Sequence, residues 1–211
     1  MQITDITPQK RHKNRLNVYV DGEFSFGIDE FDAFKLKLKI GKSITEEDIS
    51  EIKETVILSN AKEYALSLCS ARFYTESAVI RKMKEKEFDE WTICETLNFL
   101  KEYKFIDDFE YAKKFTQECI DNQKGGKIKI KMQLREKGVA PDIIDEVIEN
   151  FDFDEYEKES LAQLVAKKLD GNFDFKNVMK VKRYFISHGF SFDAVDRAIK
   201  NTTNSLEEFD F

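Results

Sequence analysis

The sequence predicts a mainly α-helical protein: three tandem three-helix repeats forming an elongated curved array, preceded by a small N-terminal β-hairpin plus helices. Helix breakers are scarce, with 8 Gly and 2 Pro among 211 residues, which favours long helices over a sandwich or barrel. From residue 60 onward, apolar residues recur at helical spacing. Apolar positions also repeat every 51 residues, as Val79, Ile130 and Val181 illustrate, and this is typical of stacked helical units.

Residues 1–59 are predicted to form the N-terminal hairpin and helices. Leu16–Val20 and Glu23–Ile28 have strand patterns. Asp21 and Gly22 between them form a favoured tight turn because both tolerate positive φ. Further candidates are a third strand at Ile3–Ile6 and helices at Asp29–Leu38 and from Thr45 onward.

The 51-residue repeat predicts a helix, a sharp corner and a second helix in each copy. Gly138 and Gly189 occupy equivalent places at the end of the first of these helices, where positive φ is useful. Glu87 stands there in the first copy, so its corner is expected to be built differently. The apolar positions in register are Val79, Ile130, Val181, Met83, Leu134, Phe185, Phe88, Val139, Phe190, Ile93, Ile144, Val195, Leu97, Ile148 and Ile199.

A further helix is predicted ahead of this helix pair in each copy, near residues 60–71, 108–123 and 154–168. The predicted repeats therefore span 60–107, 108–153 and 154–201, followed by a frayed acidic tail at 202–211. Lys127–Leu134 alternates like a strand. The repeat nevertheless places Ile130 and Leu134 four residues apart on one helix face, so a helix is expected there.

Charge is unevenly distributed along a chain whose formal net charge is -7. Lys124–Lys137 holds six basic residues and one acid, whereas Asp142–Ser160 holds nine acids and one lysine. Both runs suit a partner of mixed surface charge, such as a protein–nucleic-acid filament. The alternative for either run is a solvated helix face.

Three cysteines, no secretory leader pattern and no long apolar stretch predict a cytoplasmic protein. Cys69, Cys94 and Cys119 fall in helical apolar patterns without a C-x-x-C pair, so buried thiols in a reducing compartment are expected. No membrane span is expected, because no stretch approaches 18 uncharged apolar residues.

Catalytic motifs are not supported by the sequence. The two histidines, His12 and His188, lack neighbours with zinc-ligand spacing. Gly125-Gly126-Lys127 lacks the earlier glycine of a phosphate-binding loop, so it is interpreted as a helix-start loop. We therefore expect a non-enzyme without cofactor or metal.

Four short blocks of residues follow one another in a specific order and spacing, although none is specific alone. They are Ala65-Leu66 with Arg72 and Thr75-Glu76; Phe105–Asp108 with Tyr111-Ala112; Gly126, Ile130, Leu134 and Lys137–Val139; and Lys182-Arg183 through Gly189–Ser191. Together they resemble the RecX family, and Asp21-Gly22-Glu23 resembles the extra segment of its longer members. The chain departs from the family pattern at Ala78-Val79, Glu87, His188 and Cys119–Gln123.

The resemblance implies binding rather than catalysis. RecX-like proteins bind the RecA recombinase and its DNA filament and usually inhibit RecA ATPase and strand exchange, within recombination, DNA repair and the SOS response. The implied partners are the RecA filament and, weakly and non-specifically, single- or double-stranded DNA, and a monomer is expected. The alternative is a helical DNA-binding protein that acts independently of RecA.

Basic side chains are the candidate contact residues. Lys127, Lys131 and Arg135 lie four residues apart, so on a helix they form one stripe. This stripe would meet acidic protein or DNA phosphate, unless it is simply a solvated face. Arg72 would contact a partner or pair with an acid of its own repeat. The complete set of candidates is Arg72, Lys127, Lys129, Lys131, Arg135, Lys137, Lys182 and Arg183.

Overall fold

The computed structural model confirms a mainly α fold with a small N-terminal sheet. Helix makes up 65% of the chain. The structure describes the backbone of residues 1–10 and 14–207 and the side chains through residue 203. The chain divides into two compact units, 1–107 and 108–211, and each is described by itself. None of the described helices combines the length and apolar character needed to cross a membrane.

Unit 1 begins with a three-stranded antiparallel sheet, formed by β1 (Ile3–Pro8), β2 (Arg15–Val20) and β3 (Glu23–Asp29) in that order. The predicted hairpin is present, and Asp21 and Gly22 turn it with φ of 50° and 90°. The candidate third strand pairs with β2 and extends to Pro8.

Five helices follow the sheet in unit 1. They are α1 (Glu30–Lys35), α2 (Glu46–Glu51), α3 (Leu58–Ala71), α4 (Glu76–Glu85) and α5 (Glu90–Glu102). Thr45 caps α2 as expected, because its hydroxyl accepts from the Asp48 amide and its own amide donates to the Asp48 carboxylate. A π-helical segment at Ile52–Ile57 joins α2 to α3, so the boundary predicted at residue 59 lies inside continuous helix.

The sheet of unit 1 is fixed to the corner between α4 and α5 by a buried arginine. Arg15 is 7% exposed, and it donates to the backbone oxygen of Lys86. Its guanidinium carbon lies 4.3 Å from the centre of the Phe88 ring. Loss of hydration on burial lowers the pKa of Arg15, so hydrogen bonds and the ring must compensate a desolvated charge.

The described part of unit 2, residues 108–207, contains six helices around one apolar core. They are α6 (Asp108–Asp121), α7 (Lys127–Glu136), α8 (Pro141–Glu149), α9 (Phe153–Leu169), α10 (Phe175–Ser187) and α11 (Phe192–Glu207). Lys127–Leu134 is helical, as the repeat predicts. The described part of the predicted frayed tail belongs to α11, and residues 208–211 lie outside the described residues.

The 51-residue register is visible in the core and in the corners. Of the fifteen aligned apolar side chains, all are buried except Phe88, which is half-buried. In each copy the first residue after the corner donates its amide to a backbone oxygen five residues earlier, at 3.1–3.2 Å. The prediction for Glu87 was wrong, because Glu87 adopts φ of 57°, as Gly138 and Gly189 do at 83° and 81°. The same hydrogen bond imposes the same corner on a non-glycine residue.

Candidate functional site

The outer face of α7 carries the predicted basic stripe and two exposed apolar side chains. Lys127 and Arg135 are exposed, and Lys131 lies between them at the same helical spacing. Ile128 is 62% exposed and Met132 is 51% exposed. Ile130 and Leu134 of the same helix are buried in the core of unit 2. The three residues of the stripe and the two exposed apolar residues are together called the α7 face: Lys127, Ile128, Lys131, Met132 and Arg135.

The start of α7 is held by the corner before α11. The amide of Gly126 donates to the backbone oxygen of His188 at 3.0 Å, and the amide of Ile128 donates to that of Gly189 at 3.1 Å. The Lys127 amide donates to Oε1 of Glu157 at 3.2 Å. These three amides are therefore occupied, and Gly125-Gly126-Lys127 is a docking loop, in agreement with its interpretation as a helix start.

Glu157 on α9 connects the starts of two helices. It is 6% exposed. In addition to the bond from Lys127, its Oε2 accepts from the hydroxyl of Ser191 at 3.1 Å and from the amide of Ser191 at 3.4 Å. Ser191 directly precedes α11. A carboxylate is favourable there, because helix N-termini carry partial positive charge.

Two of the predicted contact lysines form the same internal ion pair in consecutive copies. Lys131 Nζ lies 2.7 Å from Oδ1 of Asp145, and Lys182 Nζ lies 2.5 Å from Oδ1 of Asp196. Both partners are related by the 51-residue period. The hydrogen bond from Lys131 lowers the pKa of Asp145. Lys182 also lies 3.8 Å from the centre of the Phe192 ring, so a role in joining helices fits it better than partner contact.

The remaining candidates on α7 have local contacts within unit 2. Lys129 is half-buried, and its Nζ donates to the backbone oxygen of Lys124 at 3.1 Å. Lys137 ends the helix, with its Nζ 5.0 Å from the centre of the Phe115 ring. Both side chains therefore make contacts within unit 2, whereas Lys127 and Arg135 of the stripe are exposed.

Arg72 belongs to unit 1 and directly follows α3, with an extended backbone conformation. It is exposed, and its guanidinium carbon lies 4.7 Å from the centre of the Tyr74 ring. Both predicted roles of Arg72, contact with a partner and pairing with an acid of its own repeat, stay predictions.

Arg183 contributes to a basic hollow on the outer side of α10. The hollow has a volume of about 530 Å³ and is lined by Phe175, Lys176, Met179, Lys180 and Arg183. Phe175 is 78% exposed. Arg183 was predicted as a contact residue and Phe175 was not, although the spacing of Phe175 from Met179 and Arg183 places all three on one face.

Comparison with known proteins identifies the family. Three family models match: the RecX N-terminal domain at residues 1–45, the first three-helix domain of RecX at 61–100, and the second at 107–148. Regulatory protein RecX of Clostridium botulinum (strain Eklund 17B / Type B) is 32% identical over 96% of this chain and 97% of its own length. The chain belongs to the RecX family. Regulatory protein RecX of Clostridium beijerinckii is 34% identical over 94% of each chain.

Solved structures of RecX proteins share this fold. One, a crystal structure of regulatory protein RecX, is 28% identical, with a TM-score of 0.64 over 95% of this chain and 98% of that chain. A second, RecX from Lactobacillus salivarius, has a TM-score of 0.65 over 69% of this chain. This RecX-family chain therefore shares its fold with these solved RecX structures.

Proposed function

We propose that this chain is a non-catalytic regulator that binds the RecA–DNA filament and lowers RecA ATPase and strand exchange. Its membership of a family of regulatory proteins supports a role in recombination and DNA repair. The observation that carries the contact site is the α7 face. It presents Lys127 and Arg135 beside exposed Ile128 and Met132.

This combination of side chains suits a protein surface better than bare DNA. Exposed apolar groups next to basic groups favour a partner that offers apolar area and carboxylates together, because burial of Ile128 and Met132 adds to charge attraction. DNA phosphates alone would use only the charges. Arg135 suits a carboxylate in particular, since its guanidinium can donate two parallel hydrogen bonds.

The test is a titration of this chain into RecA ATPase and strand-exchange reactions on DNA. We expect inhibition below one chain per RecA, because one bound molecule would affect many filament subunits. The variant Lys127→Glu/Arg135→Glu should weaken inhibition about tenfold or more through charge reversal at the contact. It leaves the Lys131–Asp145 ion pair intact, whereas reversal of Lys131 would also place two acids together.

The matched control changes charge equally at exposed lysines of α6 and α11. Lys113→Glu/Lys200→Glu should inhibit like the unchanged protein. Equal loss in both variants would mean that overall charge matters and the α7 face does not. No inhibition and no co-sedimentation of the unchanged protein with the filament would contradict the proposed function itself.

A second candidate function is DNA binding independent of RecA, and the basic hollow of α10 favours it. Lys176, Lys180 and Arg183 surround the exposed ring of Phe175. Proteins that bind single strands combine basic side chains with aromatic rings that stack on bases. Tight binding to DNA alone, with a steep salt dependence and a loss on Phe175→Ala, would favour this function.

A further inference from the structure

Unit 1 has a groove between α1 and α3 that the proposed function does not use. Its volume is about 1070 Å³, above the usual range of roughly 300–1,000 Å³ for small-molecule pockets. Glu30, Phe31 and Phe34 of α1 line one side, and Glu63 and Tyr64 of α3 line the other. A hydrogen bond of 2.6 Å from Asn60 to Asp32 joins the two helices.

Aromatic rings in the groove are unusually open to solvent. Phe31 is 67% exposed and Phe34 is 80% exposed, although burial of such a side chain normally contributes about 1.5–3 kcal/mol. Adjacent exposed apolar rings indicate an interaction surface rather than a core. The ring of Phe31 already has a cation near it, because Lys35 Nζ lies 4.6 Å from its centre.

Carboxylates dominate the described lining of the groove, although Lys35 lies over its Phe31 ring. Its described lining contains the carboxylates of Asp29, Glu30, Asp32 and Glu63 and no lysine or arginine. Asp29 lies 3.8 Å from Arg15, and Asp32 accepts from Asn60. Within the described part of the chain, Glu30 and Glu63 have no basic nitrogen within 4.0 Å. Two carboxylates therefore remain available beside the rings.

We propose that this groove binds an arginine-bearing segment of a partner protein. An arginine guanidinium can lie flat on the exposed ring of Phe34 while it donates two hydrogen bonds to Glu30 or Glu63. The other two rings already have a lysine over them, Lys35 at Phe31 and Lys86 at Tyr64. Lysine can satisfy the charge but not this planar arrangement. The inference goes beyond the proposed function, since the α7 face belongs to unit 2 and the groove to unit 1.

The test measures binding of a fluorescein-labelled peptide of alternating glycine and arginine by fluorescence anisotropy, with the lysine version beside it. We expect tighter binding of the arginine peptide. Phe34→Ala should raise its Kd about fivefold, and Glu30→Gln/Glu63→Gln should raise it about tenfold, as removal of a cation–ring contact or of paired charges implies. Circular dichroism should be unchanged, because these side chains are exposed or pack only at the rim.

A charge-matched control separates the groove from general attraction to an acidic protein. Glu146→Gln/Glu149→Gln removes two exposed charges from α8 of unit 2, and it should change the Kd less than about twofold. Equal weakening by both double variants would overturn the proposal. So would equal affinity for the two peptides, or a self-association in sedimentation that Phe34→Ala abolishes, because the occupant would then be a second copy. Inhibition of RecA by the groove variants reports on the proposed function separately.

Discussion

Replacement of Glu157 tests whether one buried carboxylate holds the starts of α7 and α11. Glu157→Gln keeps the size of the side chain but turns one acceptor oxygen into an NH2 group. The amide oxygen would stay with Ser191, whose hydroxyl and amide both donate to it, so the Lys127 amide loses its acceptor. The negative charge between the two helix starts is lost as well.

The expected cost follows from these contacts. A hydrogen bond to a charged acceptor contributes about 1.5–3 kcal/mol, and the bond from Lys127 is at the weak end because of its length, 3.2 Å. Charge at each of two helix N-termini adds about 0.3–1 kcal/mol. We expect a loss of about 2–3 kcal/mol. With a urea slope of about 2 kcal/mol per M, the unfolding midpoint should fall by about 1 M.

The assay is urea unfolding followed by circular dichroism, with Glu159→Gln as the control. Glu159 lies on the same helix and is exposed, so its change should stay within about 0.5 kcal/mol. If the two variants unfold at the same urea concentration, Glu157 does not stabilise the helix starts.

Two further predictions concern the packing of Gly126 in unit 2 and the reactivity of the cysteines. Gly126→Ala should destabilise by about 2–3 kcal/mol through overpacking, because its new methyl group would lie 2.4 Å from the Gly189 oxygen; urea unfolding checks this, and a neutral result would mean that the two loops separate easily. Iodoacetamide on the folded protein should modify Cys94, which is exposed, well before Cys119, which is buried with a pKa raised by desolvation; peptide mass spectrometry checks this, and equal rates would contradict the packing of Cys119.

Much of the fold could be predicted because each element has a local signal. Asp21 and Gly22 predict the hairpin turn through positive φ. The repeat resolves the ambiguous pattern of Lys127–Leu134 correctly, because a core position shared by three copies outweighs local alternation. The left-handed backbone of Glu87 could not be predicted from residue type alone. Glycine adopts this conformation at little cost, but the backbone hydrogen bond of the corner imposes it on glutamate as well.

The candidate site was predicted less completely, because a sequence shows spacing within a helix but not the helix packed beside it. Lys131 and Lys182 were expected to face a partner, yet Asp145 and Asp196 on the following helices meet them. Cys94 was expected to be buried and is exposed. The groove between α1 and α3 gave no signal, because its residues come from helices separated along the chain.

The docking loop at the start of α7 limits how this chain can be shortened. In an array of repeats each unit contacts only its neighbours, and a terminal unit commonly serves as a cap. A cut after residue 153 would remove Glu157, His188 and Gly189 together, and the first amides of α7 would lose every acceptor described above. The segment after residue 153 therefore caps the start of α7, and a chain cut there would have a frayed helix in place of the α7 face.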